Sequence, residues 1–317
     1  LVICAGLVVA AGVIYLNRTK IAREVVPLAF KPTDSNVKLE TLPQGTEEVV
    51  AENLKIPWEV AFLPDGTMLV TERPGTLKHI LNNTTAIPVE GVAHRGEGGL
   101  LGMALHPDFE NNHFIYLYST TATSGGLTNR VERYVLDKDQ LLGRKVLLEN
   151  IPGSSNHDGG RLAFGPDSLL YITTGDAEVT TNAQDKNSLA GKILRIKDDG
   201  SIPSDNPFNN AVYSYGHRNP QGLAWDSTGQ LWATEHGPSG TQTGYDELNR
   251  IEKGANYGWP TIKGDQAQNG LVTPIINSGG NDTWAPSGLA YYKGLLVFSG
   301  LRGEALYSTA VAEGGKV

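Results

Sequence analysis

The hydrophobic residues of this chain are grouped in short runs, and each run follows a turn signal. In residues 62–66 an apolar pair leads into Pro64, Asp65 and Gly66, and the strand-like run 68–72 comes next. Proline presets the backbone φ of a turn, and aspartate or glycine tolerates the position that follows, so this unit predicts a β-hairpin. The unit recurs ahead of four more apolar runs, the last in a degenerate form: residues 114–117, 169–173, 231–235 and 295–298.

The five copies lie roughly 40 to 65 residues apart, which is near or somewhat above the length of one β-propeller blade. No convincing amphipathic helix separates them. A β-sandwich, the alternative all-β architecture, would not need self-similar units. Together with the strand-like sequence before and after the copies, the pattern predicts an all-β, six-bladed β-propeller whose last blade is incomplete at the C-terminus.

The N-terminal residues differ in character from the repeats. Residues 1–16 are almost wholly apolar and are followed by basic residues, and they fall short of the ~20 residues that span a bilayer. We therefore expect a signal peptide or a membrane anchor, and export of the protein to the periplasm or the extracellular space, with or without an anchor through residues 1–16. The expected domains are a signal peptide or membrane anchor at 1–24, a linker at 25–47 and the catalytic propeller at 48–317.

Charge and cysteine content narrow the function. The net charge is −8, and nucleic-acid-binding proteins usually carry a basic face, so no nucleic-acid partner is expected. The charge is compatible with neutral substrates and with divalent cations as ligands. The only cysteine, Cys4, lies in the N-terminal apolar run, which excludes a disulfide and a catalytic cysteine from the propeller.

Two glycine-rich loops carry a candidate base and candidate anion contacts. His157 stands in the string 156–162, and a neutral imidazole is the usual general base near pH 7. A loop histidine bonded to a neighbouring strand is an equally good interpretation. Arg218 and Asn219, in the string 215–222, suit an anionic partner because a planar guanidinium binds carboxylate or quinone oxygens in pairs. The alternative is a capped strand end.

Other loops offer weaker signals. Gly237 and Pro238 present backbone carbonyls of the kind that Ca²⁺ prefers, although a plain turn explains them too. Glu97, in a glycine loop, is either a substrate contact or a turn residue. Trp284 is more typical of a core than of a binding platform, and the neighbours of Arg302 indicate no role for it.

Taken together, these strings resemble the soluble dehydrogenases that depend on pyrroloquinoline quinone (PQQ), the glucose/sorbosone dehydrogenase family. The resemblance extends from about Leu54 to Arg302. Residues 57–66 and 99–109 match the opening blades of the family. The most specific strings are 215–222, 235–238 and 256–260.

The resemblance implies that PQQ binds at the mouth of the central channel. The protein would oxidise an aldose at the anomeric carbon to a lactone, with hydride passing to PQQ and electrons leaving to an external acceptor. His157 would be the general base and Arg218 a second catalytic residue, and we expect both to converge with Asn219 and Arg302 on one pocket. The roles implied for the other residues are cofactor contacts at Arg218, Asn219, Lys293, Arg302 and Glu97, calcium ligands at the carbonyls of Gly237 and Pro238, and substrate contacts at Glu97 and Trp284.

Two positions depart from the family's pattern. Glu97 stands where better-known members have glutamine, which puts a charge near the substrate or the cofactor. Asn156 precedes His157 where a carboxylate is often found, which predicts a weaker base. Two other functions stay open: a Ca²⁺-dependent propeller lactonase, which needs acidic and amide ligands from several blades, and a non-catalytic binding propeller, which could lack the base.

Overall fold

The turn of each predicted hairpin joins the first two strands of a small antiparallel sheet. These sheets are seen in a computed structural model that describes residues 48–80, 83–238 and 244–311. The expected signal peptide or anchor at 1–24, the linker at 25–47 and the chain end at 312–317 lie outside the described residues.

Five sheets follow one another along the chain. The first holds β1 (Pro57–Phe62), β2 (Met68–Glu72), β3 (Thr76–Ile80) and β4 (Thr84–Pro88). The second holds β5 (Leu100–Leu105), β6 (Phe114–Thr123), β7 (Gly126–Asp137) and β8 (Gln140–Pro152), with a single helical turn, α1 (Phe109–Asn112), between β5 and β6. The third holds β9 (Leu162–Phe164), β10 (Leu170–Thr174), β11 (Lys192–Ile196) and β12 (Val212–Tyr215), with a 3-10 helix (Thr180–Gln184) between β10 and β11.

The last two sheets repeat the pattern with shorter outer parts. The fourth sheet holds β13 (Pro220–Trp225), β14 (Leu231–Glu235), β15 (Glu247–Ile251) and β16 (Ile276–Asn277). The fifth holds β17 (Pro286–Tyr292), β18 (Leu295–Gly300) and β19 (Ala305–Ala310). In every sheet the strands pair in the order of the sequence, so each sheet is a simple meander.

Successive sheets pack face to face because alternate residues of a strand point to opposite faces. In β5, Leu100 packs with Leu69 of the first sheet, whereas the next residue, Leu101, packs with Ile172 of the third. Two further buried clusters join the third sheet to the fourth and the fourth to the fifth. The hydrophobic core therefore lies between the sheets.

The first strands of the sheets contact one another in turn: β1 with β5, β5 with β9, β9 with β13, and β13 with β17. They therefore surround the centre of the molecule, with the later strands of each sheet further out. The protein is an all-β propeller, which confirms the predicted fold class. The structure describes five blades, so the sixth blade stays a prediction. Within the described residues, no helix is both long and apolar enough to cross a membrane.

Candidate active site

One end of the propeller collects the sequence-predicted loops. The first two strands of a blade are antiparallel, so the loop entering the first strand and the loop leaving the second lie at the same end. His157 precedes β9, and Arg218 and Asn219 precede β13. Gly237 follows β14. The fold therefore brings loops that are far apart in sequence to one face.

His157 is held on both its backbone and its ring. Its backbone N–H donates to Oε2 of Glu97 over 2.9 Å, and its Nδ1 lies 2.7 Å from Oδ1 of Asp176. Against an ionised carboxylate Nδ1 carries the ring proton, which leaves Nε2 as the proton acceptor. The side chain is 17% exposed, so a small molecule in the channel mouth can reach it.

Asp176 supplies the carboxylate that Asn156 does not. It lies two residues after the buried end of β10, and its other oxygen accepts the indole N–H of Trp259 over 2.8 Å. Burial alone would raise the pKa of Asp176, but the hydrogen bonds from His157 and Trp259 outweigh it and hold that pKa below its usual range. Asp176 is therefore ionised and can stabilise a positive charge on the imidazole. Asn156 instead donates to Glu178 over 2.9 Å.

Close packing of backbone joins this pair to the next blade. Oδ1 of Asn219 accepts the N–H of Gly159 over 2.9 Å, and the carbonyl of Arg218 accepts the N–H of Asp176 over 2.8 Å. A Cβ at Gly175 would lie 1.9 Å from the carbonyl oxygen of His157, so only glycine permits this approach. The structure thus brings His157, Arg218 and Asn219 together.

The guanidinium of Arg218 is buried beside Trp259. Its carbon lies 5.5 Å from the centre of an indole ring, and Nη1 donates to the carbonyl of His236 over 3.3 Å. Burial lowers the pKa of Arg218, and the nearby charges of Asp176 and Glu235 oppose that shift. A desolvated cation of this kind interacts strongly with an anionic group placed against it.

Two carboxylates lie behind Arg218, on neighbouring strands. Glu235 and Glu247 are directly paired between β14 and β15. Glu235 accepts the backbone N–H of Arg218 and lies 2.8 Å from Nδ1 of His217. Burial, followed by the charge of Glu235, raises the pKa of Glu247 to about 8. Glu247 therefore holds its proton more tightly than an ordinary glutamate does.

Gly237 is packed too tightly for a side chain. A Cβ there would lie 2.2 Å from the carbonyl oxygen of Gly244, and its N–H donates to Asp246 over 2.8 Å. The same carboxylate also accepts the N–H of Trp284 over 2.6 Å. Pro238 follows at the edge of the described residues. Within the described ranges, no group of three or more His, Cys, Asp or Glu side chains is arranged to hold a metal ion.

The other sequence-predicted residues lie in different places. Glu97 is exposed at the mouth beside His157. Arg302 is exposed at the same end of the propeller, where its N–H donates to the carbonyl of Trp284 over 3.2 Å. The ring of Trp284 is buried against Phe298 and Tyr307, so it packs in the core of the fifth blade.

Lys293 is not brought to this site. It lies in the hairpin turn between β17 and β18, with its ammonium 5.0 Å from the centre of the Tyr292 ring. That turn is at the opposite end of the blade from Trp284 and Arg302. Seven residues of β17 separate the two ends, a distance of about 20 Å at the usual rise of a strand. A cofactor contact by Lys293 at the His157 site does not fit this position.

Sequence reasoning missed three residues of the site: Asp176, His236 and Arg73. Asp176 and Arg73 each follow the second strand of a blade, and this shared position could have indicated them. The guanidinium of Arg73 donates to the carbonyl of Gly96, next to Glu97. Nε of Arg73 and Nε2 of His236 are buried with no hydrogen-bond partner in the described part of the chain.

The model of the glucose/sorbosone dehydrogenase family matches residues 54–314. The chain belongs to this family. This membership confirms the resemblance that the glycine-rich strings indicated.

Named dehydrogenases are clearly similar to the chain. The solved structure of the PQQ-bound form of aldose sugar dehydrogenase from Streptomyces coelicolor is 41% identical, with a TM-score of 0.80 over 85% of this chain and 81% of that one. Quinoprotein glucose dehydrogenase B of Acinetobacter calcoaceticus is 37% identical over 74% of this chain and 56% of its own length. Aldose sugar dehydrogenase YliI of Escherichia coli is 39% identical over 67% of this chain. The chain spans 61% of the length of the Escherichia coli protein.

Proposed function

We propose that this protein is a PQQ-dependent dehydrogenase that oxidises an aldose at its anomeric carbon to a lactone. The observation that carries the proposal is the pairing of His157 with Asp176 beside the buried Arg218 and Asn219. A base next to a desolvated cation suits removal of a hydroxyl proton beside an anionic redox cofactor. The similarity to a protein solved in a PQQ-bound form supports the same choice of cofactor.

The donors at the channel mouth fit PQQ, a planar quinone that carries carboxylates. Arg218 is a buried cation, and Nε2 of His236 and Nε of Arg73 are buried without a hydrogen-bond partner in the described residues. Buried polar groups are normally hydrogen-bonded. Arg218 and Asn219 would hold the cofactor's oxygens, and the exposed Arg302 would supply a further positive charge.

His157 and Asp176 would carry the proton chemistry. PQQ, when bound, supplies the electrophilic carbon that accepts hydride from the sugar. Nε2 of His157 removes the proton from the anomeric hydroxyl, and Asp176 stabilises the imidazolium that forms. Glu97 holds the backbone of His157 in place and presents a charge at the entrance. Reoxidation of the cofactor would use an external electron acceptor.

Calcium would be held by the backbone carbonyls of Gly237 and Pro238. Two carbonyls fall far short of the ~6–8 oxygens that Ca²⁺ takes, so the cofactor's oxygens and water would complete the shell. Metal and cofactor should therefore bind interdependently.

We expect chelation of Ca²⁺ to weaken PQQ binding at least tenfold, because each ligand completes the other's coordination. The measurement is an absorbance titration of PQQ into the protein with chelator, and again after Ca²⁺ is restored. Mg²⁺ should restore binding poorly, because it demands a tighter octahedron. Equal PQQ affinity with and without chelator would contradict the shared site. Hydrolysis of a lactone that needs Ca²⁺ but no PQQ would instead favour a lactonase.

The propeller would have six blade positions. β1 has no buried residue, unlike the first strands of the other four blades, and its Val60 and Phe62 are 48% and 66% exposed. In the fifth blade, Leu306 of β19 is 56% exposed. Apolar faces of blades are normally covered by the next blade, so these residues support a further blade between the fifth and the first.

A further inference from the structure

Lys192 is a buried lysine that the proposed chemistry does not use. It is the first residue of β11, and none of its surface is exposed. Its ammonium donates to three backbone carbonyls: Asn182 over 2.7 Å, Ala183 over 3.1 Å and Ala190 over 2.7 Å. An ammonium has three donors and no acceptor, so all of its hydrogen-bonding capacity is used on one loop.

Burying a lysine ammonium at this position costs free energy, because the charge loses its contact with water. Burial lowers the pKa of Lys192 to about 7, and the charge of Asp185 opposes that shift. A buried apolar side chain would avoid this desolvation cost, but the carbonyl of Ala190 would lose the bond that the ammonium donates, and the carbonyl of Asn182 would keep only the N–H of Asp185. Lysine at this position therefore stabilises the loop between β10 and β11 through these hydrogen bonds.

That loop carries Asp176 at its start. The side chain of Asn182 donates to the carbonyl of Asp176 over 3.1 Å. The side chain of Gln184 donates to the carbonyl of Trp259 over 2.6 Å, and Trp259 donates to the carboxylate of Asp176 over 2.8 Å. Two chains of hydrogen bonds therefore connect the segment held by Lys192 to Asp176, one to its backbone and one to its carboxylate.

We propose that Lys192 is a positioning residue for the catalytic pair: by fixing the 180–184 turn it holds Asp176 in place, and so fixes which nitrogen of His157 carries the proton. This role rests on the proposed function of His157, and Lys192 itself is fully buried, with its ammonium bonded to the loop. The carboxylate of Asp176 keeps the proton on Nδ1 of His157 and leaves Nε2 free to act as base. If the turn shifts, the ring loses that orientation.

The test uses Lys192→Met, which keeps an unbranched side chain of nearly the same length and removes the ammonium and its donors. The ¹⁵N NMR shifts of the ring of His157, assigned by comparison with His157→Gln, report the tautomer in the protein without PQQ. We expect the Nδ1–H form to dominate in the wild type and the Nε2–H form to become substantially populated in Lys192→Met. In the PQQ-loaded enzyme, kcat should fall about tenfold while KM stays within about twofold.

The matched control is Lys186→Met, on the same loop. Lys186 is exposed, with its ammonium 5.2 Å from the centre of the Phe208 ring. The Lys186→Met variant should keep the wild-type tautomer of His157. If Lys192→Met does not fold, Asn182→Ala removes the bond to Asp176 and should shift the tautomer in the same direction.

A wild-type tautomer in Lys192→Met, or in Asn182→Ala if that variant has to be used, would overturn the positioning role. The NMR result does not depend on turnover. Lack of PQQ-dependent activity in the wild type would refute the proposed function alone.

Discussion

His157 has a φ of 62°, a left-handed backbone conformation that is uncommon for residues other than glycine. Such a conformation persists only where the surroundings enforce it. Here Glu97 accepts the backbone N–H and Asp176 binds the ring. The sequence predicted His157 from its glycine-rich string. The position of Asp176 after a second strand could have indicated a site residue. Its contact with the ring of His157 could not be predicted, because it depends on the path of a loop nineteen residues away.

Asp158 provides a residue-scale test by pH. Burial is the main cause that raises its pKa to about 6. Its Oδ1 accepts the amide of Asn129 over 2.9 Å, while its Oδ2 and the Oδ1 of Asn129 are buried without partners in the described residues. The folded protein therefore binds this proton more tightly than the unfolded chain does. Stability should fall as pH rises from about 4 to about 6, and the cost should persist above that.

We expect Asp158→Asn to raise the free energy of unfolding by about 2 kcal/mol at pH 8 and to change it little at pH 4. At pH 8 the substitution removes a buried charge, and its new N–H can donate to Asn129. Denaturant unfolding at the two pH values measures the difference. Asp137→Asn, at an exposed position, is the control. A loss of stability at pH 8 in Asp158→Asn would show that the charge of Asp158 does not destabilise the fold.

At the scale of elements, the inner hairpins were predictable and the outer strands were not. The hairpins have a turn signal followed by a buried apolar run, and all five of them form. β8 is mostly exposed, so no apolar period indicates it. Lys293 was misplaced for a related reason: its Tyr-Lys-Gly string resembled a cofactor-binding segment, but a hairpin turn puts it at the far end of the blade.

A Gly175→Ala variant tests whether close packing just after β10 positions His157. In Gly175→Ala the new Cβ would collide with the carbonyl of His157, so the backbone there must move. We expect kcat to fall about 100-fold, because a displacement of about 1 Å at a catalytic group has effects of that size. Steady-state kinetics of the PQQ-loaded enzyme measure it. Gly125→Ala, in an open turn between β6 and β7, should keep wild-type rates, and equal rates for both variants would count against this packing.

At the scale of the whole molecule, Arg161 links blades across the centre of the propeller. It precedes β9, donates to the carbonyl of Gln221 in β13 over 2.8 Å and pairs with Glu59 in β1. Its guanidinium carbon lies 4.2 Å from the centre of a ring of Trp58. Burial lowers the pKa of Arg161 to about 9, so it is still charged at pH 7. The sequence showed this arginine but could not show which distant blades it joins.

We expect Arg161→Met to lower the free energy of unfolding by about 3 kcal/mol, because it leaves the partly buried Glu59 without its cation. Denaturant unfolding at pH 7 measures the loss. Arg250→Met is the control, since Arg250 and Glu252 form an exposed pair 3.5 Å apart and such pairs contribute about 1 kcal/mol or less. Equal losses of unfolding free energy in the two variants would show that Arg161 contributes no more than an exposed arginine does.

On the proposed function, PQQ bound beside His157 oxidises an aldose. The most direct measurement is the rate at which an artificial electron acceptor is reduced by purified protein supplied with PQQ, Ca²⁺ and glucose. We expect reduction that requires all three additions, and a rate lowered about 10²–10⁴-fold in His157→Gln with PQQ still bound. Reduction by His157→Gln at the wild-type rate, or no reduction by wild-type protein that has PQQ bound, would contradict the proposed function.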